Sequence, residues 1–248
     1  MDRLIFTAMS ATRMLAQRQE SIANNLANAN TNGYRAQTAM TRSTQTDGGE
    51  VTSRGGVVDT STGTDFRQGP LLQTGNPFDA AISGSGFFAV QTADGSEAYT
   101  RDGQMDLSAE GSLVSKRGYT ILGEGGPLAI PPNHEVLIGR DGTVSAVPAG
   151  AGRQNAVTVG RLKLVNPDVA SLVRGNDGLF RIPNGEADAD PSVSVAAGAV
   201  EASNVNVIEA MVEMIGVARQ FEMQMKLISS SEQNSRSASQ LLSIGGGN

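Results

Sequence analysis

Apolar and small side chains recur along the first thirty residues at Ile5, Ala8, Thr12, Leu15, Gln19, Ile22, Leu26 and Ala29, spaced alternately three and four apart. That spacing is the seam of a heptad helix. Thr12 and Gln19 are polar and two more positions are alanine, so this helix buries too little to stand alone. A stronger stripe lies near the other end, where Val207, Met211, Met214, Ala218, Phe221, Met225 and Ile228 repeat four and three apart with every position apolar. Ser203-Asn204 offers a cap before it and Gly245-Gly246-Gly247 ends it, which predicts one long helix from about residue 204 to about 243.

Between the helices the pattern changes to short alternating runs such as Gly86–Val90, Gly142–Val147 and Arg161–Val165. Asp-Gly pairs at 47–48, 94–95, 102–103, 141–142 and 177–178 punctuate them, as hairpin turns do. The stretch 35–76 is polar and rich in Thr, Ser and Gly. The predicted fold class is therefore α+β. The N- and C-terminal helices pair as a coiled-coil stalk, a discontinuous domain, and an all-β domain is inserted between them. The expected boundaries are 1–34 for the N-terminal helix, 35–76 for an extended arm or linker with room for edge strands, 77–200 for the β domain and 201–248 for the C-terminal helix.

Composition narrows the chemistry. Lys and Arg number 19 against 25 Asp and Glu, a net charge of −6, and no basic cluster occurs, so nucleic acid is not an expected partner. With no cysteine and a single histidine, His134, neither disulfides nor thiolate or multi-histidine metal sites are available, and no cofactor is expected. The apolar runs are too short to cross a bilayer, and the N-terminus lacks the apolar core and cleavage site of a secretory signal. A soluble chain without membrane insertion is expected, one that leaves the cytoplasm, if at all, by another route.

Enzyme parts are scarce. His134 sits in the loop Pro131-Pro132-Asn133-His134-Glu135 without a nucleophile motif nearby. Gly84-Ser85-Gly86 lacks the flanking residues and the strand-to-helix turn of a nucleophile elbow. Gly123-Glu124-Gly125-Gly126-Pro127 has no lysine for a phosphate, and Asp79, Asp102, Asp106 and Glu110 fall in turns where Asp is common anyway. Neither catalysis nor a small-molecule substrate is expected.

The stretch SIANNLANANTNGY, Ser21 to Tyr34, places five asparagines in fourteen residues at the end of the first helix. Asn is a poor helix former, because its amide competes for backbone partners. A fraying helix end explains Asn30 and Asn32 but not Asn24, Asn25 and Asn28, which lie to one side of the seam, roughly 200–300° round the wheel from Ile22. Amides can be dehydrated at lower cost than charges, so this polar face is suited to being covered by neighbouring subunits.

SIANNLANANTNGYRAQ resembles the N-terminal signature of bacterial flagellar rod and hook proteins. GAVEASNVNVIEAMVEMIGVARQFEMQMKLISS, residues 198–230, resembles their C-terminal signature, and the stretch from NPFDAAISGSGFFAV to SLVSKRGYTILG is typical of them too. The resemblance implies a structural subunit of the flagellar basal-body rod, a periplasmic drive shaft that self-assembles through terminal helices and carries torque from rotor to hook. It implies partners among the proximal- and distal-rod subunits and the flagellar type III export apparatus, with export that removes no signal peptide. The length, the start MDRLIFTAM and the run RQFEMQMK look most like the proximal-rod member, with the distal-rod member as the alternative. A β-domain adhesin on a coiled-coil stalk is the reading from another class, and seven Phe, three Tyr and no Trp argue against a glycan site.

The residues expected to matter follow. Ile5, Leu15, Ile22 and Leu26, with Val207, Met211, Met214, Ala218, Phe221, Met225 and Ile228, form the helical core for subunit packing. Asn24, Asn25 and Asn28 form an inter-subunit polar face. Asn30, Thr31, Asn32, Gly33 and Tyr34 form the signature turn of the family.

Overall fold

A computed structural model describes residues 2–45, 55–150, 153–183 and 185–245. The chain divides into two compact units, the first made of Met1–Ala27, Ala36–Asp65 and Asn206–Asn248 and the second of Asn28–Arg35 and Phe66–Val205.

The first unit contains helix α1 (Asp2–Ala27), strands β1 (Gln37–Gln45) and β2 (Gly55–Thr64), and helix α2 (Val207–Gly245). Strands β1 and β2 pair antiparallel from Gln37↔Thr64 to Gln45↔Gly55, with a register shift between Arg42 and Ser43. The Asp47-Gly48 pair lies outside the described residues. On α1, Ala8, Leu15 and Ile22 are buried, one residue per heptad. Of the positions between them, Thr12 is half-buried, its hydroxyl donating back to the Ala8 carbonyl at 2.8 Å, and Gln19 is exposed. Ile5 lies outside the residues whose side chains are described. Asn206 caps α2, its side-chain oxygen accepting the backbone N–H of Ile208 at 3.1 Å.

The α+β composition stands, but the coiled-coil stalk is corrected. Among the described residues of α2 those buried are Ala210 and Val217, neither of them in the expected seam, whereas Met211 and Met225 are 49% and 47% exposed. The half-buried Met214, Phe221 and Ile228 continue the stripe of Ala210 and Val217. The covered face is thus turned by about 50° from the heptad line read in the sequence. With Gln19 exposed and Thr12 and Leu26 only half-buried on α1 as well, the interlocking of a two-helix seam is not formed. The physical reason is the first two turns of α2, which are apolar on every side but that of Glu209 and Glu213; the pattern there permits several rotations, and the small side chains of Ala210 and Val217 allow the closest approach. The strand pair β1–β2 also belongs to the helical unit, so this unit is not a helix pair alone.

The second unit is antiparallel β throughout its described pairings. Its main sheet runs in the order Val173–Arg174, Phe180–Arg181, Glu97–Thr100, Phe87–Gln91, Thr120–Gly123, Leu113–Ser115, Met105–Leu107. Strand Phe87–Gln91 explains the unbroken apolar run FFAV. Phe88 and Val90 enter one buried cluster with Ile82, Leu113, Ile121 and Leu164, while Phe87 and Ala89 enter another with Tyr99, Val165 and Phe180. A strand covered on both faces does not alternate. Phe66, Phe87 and Phe180 close the second cluster with ring centroids 5.3–6.2 Å apart.

Three of the Asp-Gly pairs turn hairpins, with Gly95, Gly142 and Gly178 at positive φ. The pair at 102–103 does not: a Cβ on Gly103 would fall on the Ala80 carbonyl, so that glycine permits a close backbone crossing. Two further pairings, Ala80–Ser83 with Ser194–Ala197 and Leu71–Gln73 with Ala199–Glu201, bring the last strands of the unit back beside its first.

Candidate functional site

The asparagine-rich end of α1 has a specific local use. Asn25 donates from Nδ2 to the Gln37 carbonyl at 2.8 Å, and its Oδ1 accepts the Gln37 N–H at 2.7 Å. The side-chain amide thereby copies a peptide group and satisfies both backbone atoms at the start of β1. The Ser21 hydroxyl donates to the same carbonyl at 3.1 Å. Asn25, expected on a face covered by other subunits, turns its amide inward within its own chain. Asn24 is exposed, and Asn28 is half-buried with its Oδ1 accepting the Thr31 hydroxyl at 3.3 Å.

The signature residues form a tight turn inside the second unit. The Thr31 N–H donates to the Asn28 carbonyl at 3.1 Å and the Tyr34 N–H to the Thr31 carbonyl at 3.3 Å. Asn30 is exposed and Asn32 half-buried. Gly33 has φ +68°, and a Cβ there would overlap the backbone of Arg101 and Asp102, so glycine is required twice over. Its N–H donates to the Glu201 carbonyl at 2.7 Å. Tyr34 is buried beneath Arg174, whose guanidinium carbon lies 4.4 Å from the ring centroid. Burial raises the Tyr34 phenol above its ordinary value, and the neighbouring Arg174 partly offsets this.

Next to this turn stands a charge network with no counterpart among the residues expected from the sequence. Arg35 is 1% exposed, Glu201 0% and Arg101 4%. Arg35 Nη1 lies 2.6 Å from Glu201 Oε1, and Arg101 Nη1 lies 3.0 Å from Oε2. Oε1 also accepts the Gly69 N–H at 3.0 Å. Arg35 Nη1 donates to the Arg67 carbonyl and Arg101 Nη2 to the Gly84 carbonyl, the latter at 2.8 Å. Desolvation pulls Arg101 below the usual guanidinium value, with Glu201 acting in the opposite direction. The signal was present as charges inside apolar stretches, Glu201 in GAVEAS and Arg35 after a buried tyrosine; what no local pattern supplies is that they meet.

The packing residues of the helices divide. Leu15 and Ile22 are buried; Leu26, Val207, Met214, Ala218, Phe221 and Ile228 are half-buried; Met211 and Met225 are exposed. Opposite the covered stripe of α2, Ile208, Met211, Val212 and Ile215 form a second apolar stripe, Ile208 being 75% exposed. Among the described residues no group of His, Asp and Glu could hold a metal ion. His134 is occupied with its own loop, Nδ1 lying 2.8 Å from the Pro132 carbonyl.

A β body with helical ends that carry more apolar surface than they cover defines a structural subunit, made to be completed by packing. The chain belongs to the flagellar basal-body rod protein family. Residues 5–35 match the family model described as flagella basal body rod protein, residues 81–146 the flagellar hook protein FlgE/F/G D1 domain, and residues 196–241 the flagellar basal body rod FlgEFG protein C-terminal model. The chain is 42% identical over 251 residues to the flagellar basal-body rod protein FlgF of Escherichia coli, covering 98% of this chain and 100% of the relative. It is 35% identical over 246 residues to FlgF of Caulobacter vibrioides, with 96% and 97% covered. With the rod protein FlgG of Buchnera aphidicola it shares 36% over 244 residues, with 89% and 92% covered. It is a structural subunit of the basal-body rod and has its place in the flagellar basal body. No helix among the described residues is long and apolar enough to cross a membrane.

Proposed function

We propose that the chain is a proximal-rod subunit that works by packing alone. In this reading the inward stripes of α1 and α2 hold the helical unit together, while Ile208, Met211, Val212 and Ile215 dock on neighbouring rod subunits. The observation that carries it is this second stripe, a contiguous apolar face opposite one already covered. Asn24 and Asn28 each offer neighbouring subunits an amide that tolerates burial. Proximal rather than distal placement is supported by full-length similarity to FlgF proteins. Passage through the flagellar type III export apparatus to a periplasmic assembly site, and the absence of any reaction, nucleic-acid partner or small-molecule substrate, belong to the same proposal.

The test is electron microscopy of basal bodies from a strain lacking the gene, complemented with the wild type or with a Val212→Asp/Ile215→Asp variant. The rod should stop short in the deletion strain, and the variant should be made and folded in its β body yet fail to restore the rod. A complete rod with the double variant would show that this stripe is not a docking face. Placing an unpaired carboxylate in a closed interface costs several kcal/mol, enough to abolish incorporation.

A further inference from the structure

The chain holds two Asn-Gly pairs, Asn32-Gly33 and Asn184-Gly185. Asparagine before glycine is the most labile amide context in a polypeptide, because a glycine without a side chain leaves its own nitrogen free to reach the asparagine side chain. We propose that Asn32-Gly33 is a deamidation site that folding silences, and that its conversion while the chain is unfolded bars the chain from closing the signature turn.

The Gly33 nitrogen gives its proton to solvent, and its electron pair attacks the carbonyl carbon of the Asn32 side chain. The bond from that carbon to the amide nitrogen breaks, and ammonia leaves with a proton taken back from solvent. Water then opens the cyclic imide at either of its carbonyls. One opening gives aspartate in the ordinary linkage; the other gives isoaspartate, whose main chain passes through Cβ and is one atom longer. The net change is water taken up and ammonia released.

In the folded chain the first step is blocked at its nitrogen. The Gly33 N–H donates to the Glu201 carbonyl at 2.7 Å, and Glu201 is wholly buried. An amide held on a buried carbonyl cannot release its proton to solvent until that bond opens. Flanking bonds hold the segment in place: the Thr31 N–H on the Asn28 carbonyl at 3.1 Å, the Tyr34 N–H on the Thr31 carbonyl at 3.3 Å and the Asn204 N–H on the Tyr34 carbonyl at 3.3 Å. Gly185 differs, being exposed, and a Cβ built on it meets nothing within 4 Å.

The same crowding makes the converted chain unfit. A Cβ on Gly33 would overlap the backbone of Arg101 and Asp102, so the turn has no room for a displaced Gly33. An extra main-chain atom immediately before Gly33 carries either its Cα into that backbone or its N–H away from the Glu201 carbonyl. The fold shields the intact pair and rejects the lengthened one, so a chain that stays unfolded is retired irreversibly.

The purified full chain, incubated at mildly alkaline pH either native or in urea above its unfolding midpoint, tests both halves. Aspartate and isoaspartate at positions 32 and 184 are followed over time by peptide mass spectrometry. In urea the two asparagines should convert at rates within roughly three-fold of each other; in the native chain Asn32 should slow by at least about 100-fold and Asn184 by less than about ten-fold. Native Asn32 converting as fast as native Asn184 would overturn the silencing. Urea-aged chains are then refolded and the soluble, protease-resistant fraction is collected. Isoaspartate at position 32 should be depleted there by at least about ten-fold and isoaspartate at position 184 should not be. Equal recovery of the two would overturn the block on the turn. Asn32→Asp, which carries the new charge on a backbone of ordinary length, should refold with the urea midpoint of the wild type; failure to fold would place the defect in the charge and overturn the role of chain length.

Discussion

The Asn25 amide offers a sharp test of why a helix keeps a poor helix former. Asn25→Ala removes two hydrogen bonds, to the Gln37 carbonyl at 2.8 Å and from the Gln37 N–H at 2.7 Å. At about 0.5–1.5 kcal/mol each the loss is about 1–3 kcal/mol. The better helix propensity of alanine returns roughly 0.5 kcal/mol. The net loss is then about 0.5–2.5 kcal/mol, and because the Gln37 carbonyl keeps the Ser21 hydroxyl the low half of that range applies, about 0.5–1.5 kcal/mol. That corresponds to roughly a 2- to 13-fold rise in the exchange rate of the Gln37 amide, measurable by NMR. Asn25→Asp separates the mechanism from simple truncation. An ionised carboxylate still accepts the Gln37 N–H but faces the Gln37 carbonyl with like charge, whereas the protonated acid presents a donor and an acceptor as the amide does. The folded state therefore favours the protonated form and raises the pKa. The stability it contributes is fully present below the unfolded value of about 3.9 and is lost as pH rises through the raised folded value. The Asp variant should be deficient at pH 7 and approach the wild type on acidification. Gln37 exchange unchanged in Asn25→Ala, or a deficit in Asn25→Asp that does not depend on pH, would refute the account.

Gly33→Ala should destabilise the second unit by at least about 2 kcal/mol, read as a lower urea midpoint, because it combines left-handed backbone strain with overlap on the Arg101–Asp102 backbone. An unchanged midpoint would mean the turn relaxes. Tyr99 is buried, its phenolic oxygen accepting the Ala187 N–H at 2.6 Å, and burial, reinforced by Glu97, pushes it up to about 12. The raised value means stability present below about pH 10 is lost between there and pH 12. Ultraviolet titration should show this late phenolate step vanish in Tyr99→Phe, which should also be roughly 1 kcal/mol less stable at pH 7 for the lost acceptor.

The sequence by itself determined what depends on neighbours along the chain. Helical spacing at both ends, hairpin turns at Asp94-Gly95, Asp141-Gly142 and Asp177-Gly178, and the strand nature of Phe87–Gln91 all follow from local pattern, since backbone conformation is set by residues a few positions apart. The family signatures at 21–37 and 198–230 were equally open to reading. Tertiary structure decided which face of α2 is covered, because a helix whose first turns are apolar everywhere but at Glu209 and Glu213 admits several rotations until a partner surface selects one; Ala210 and Val217 were selected by size, and the two-helix seam was lost with the Met positions. It also decided the purpose of Asn25, whose partner Gln37 lies twelve residues on, across a turn. Above all it assembled Arg35, Gly69, Arg101 and Glu201, which are separated by up to 166 residues in the sequence. A buried charge is tolerable only where opposite charges converge, and convergence is a property of the folded chain that no segment carries alone.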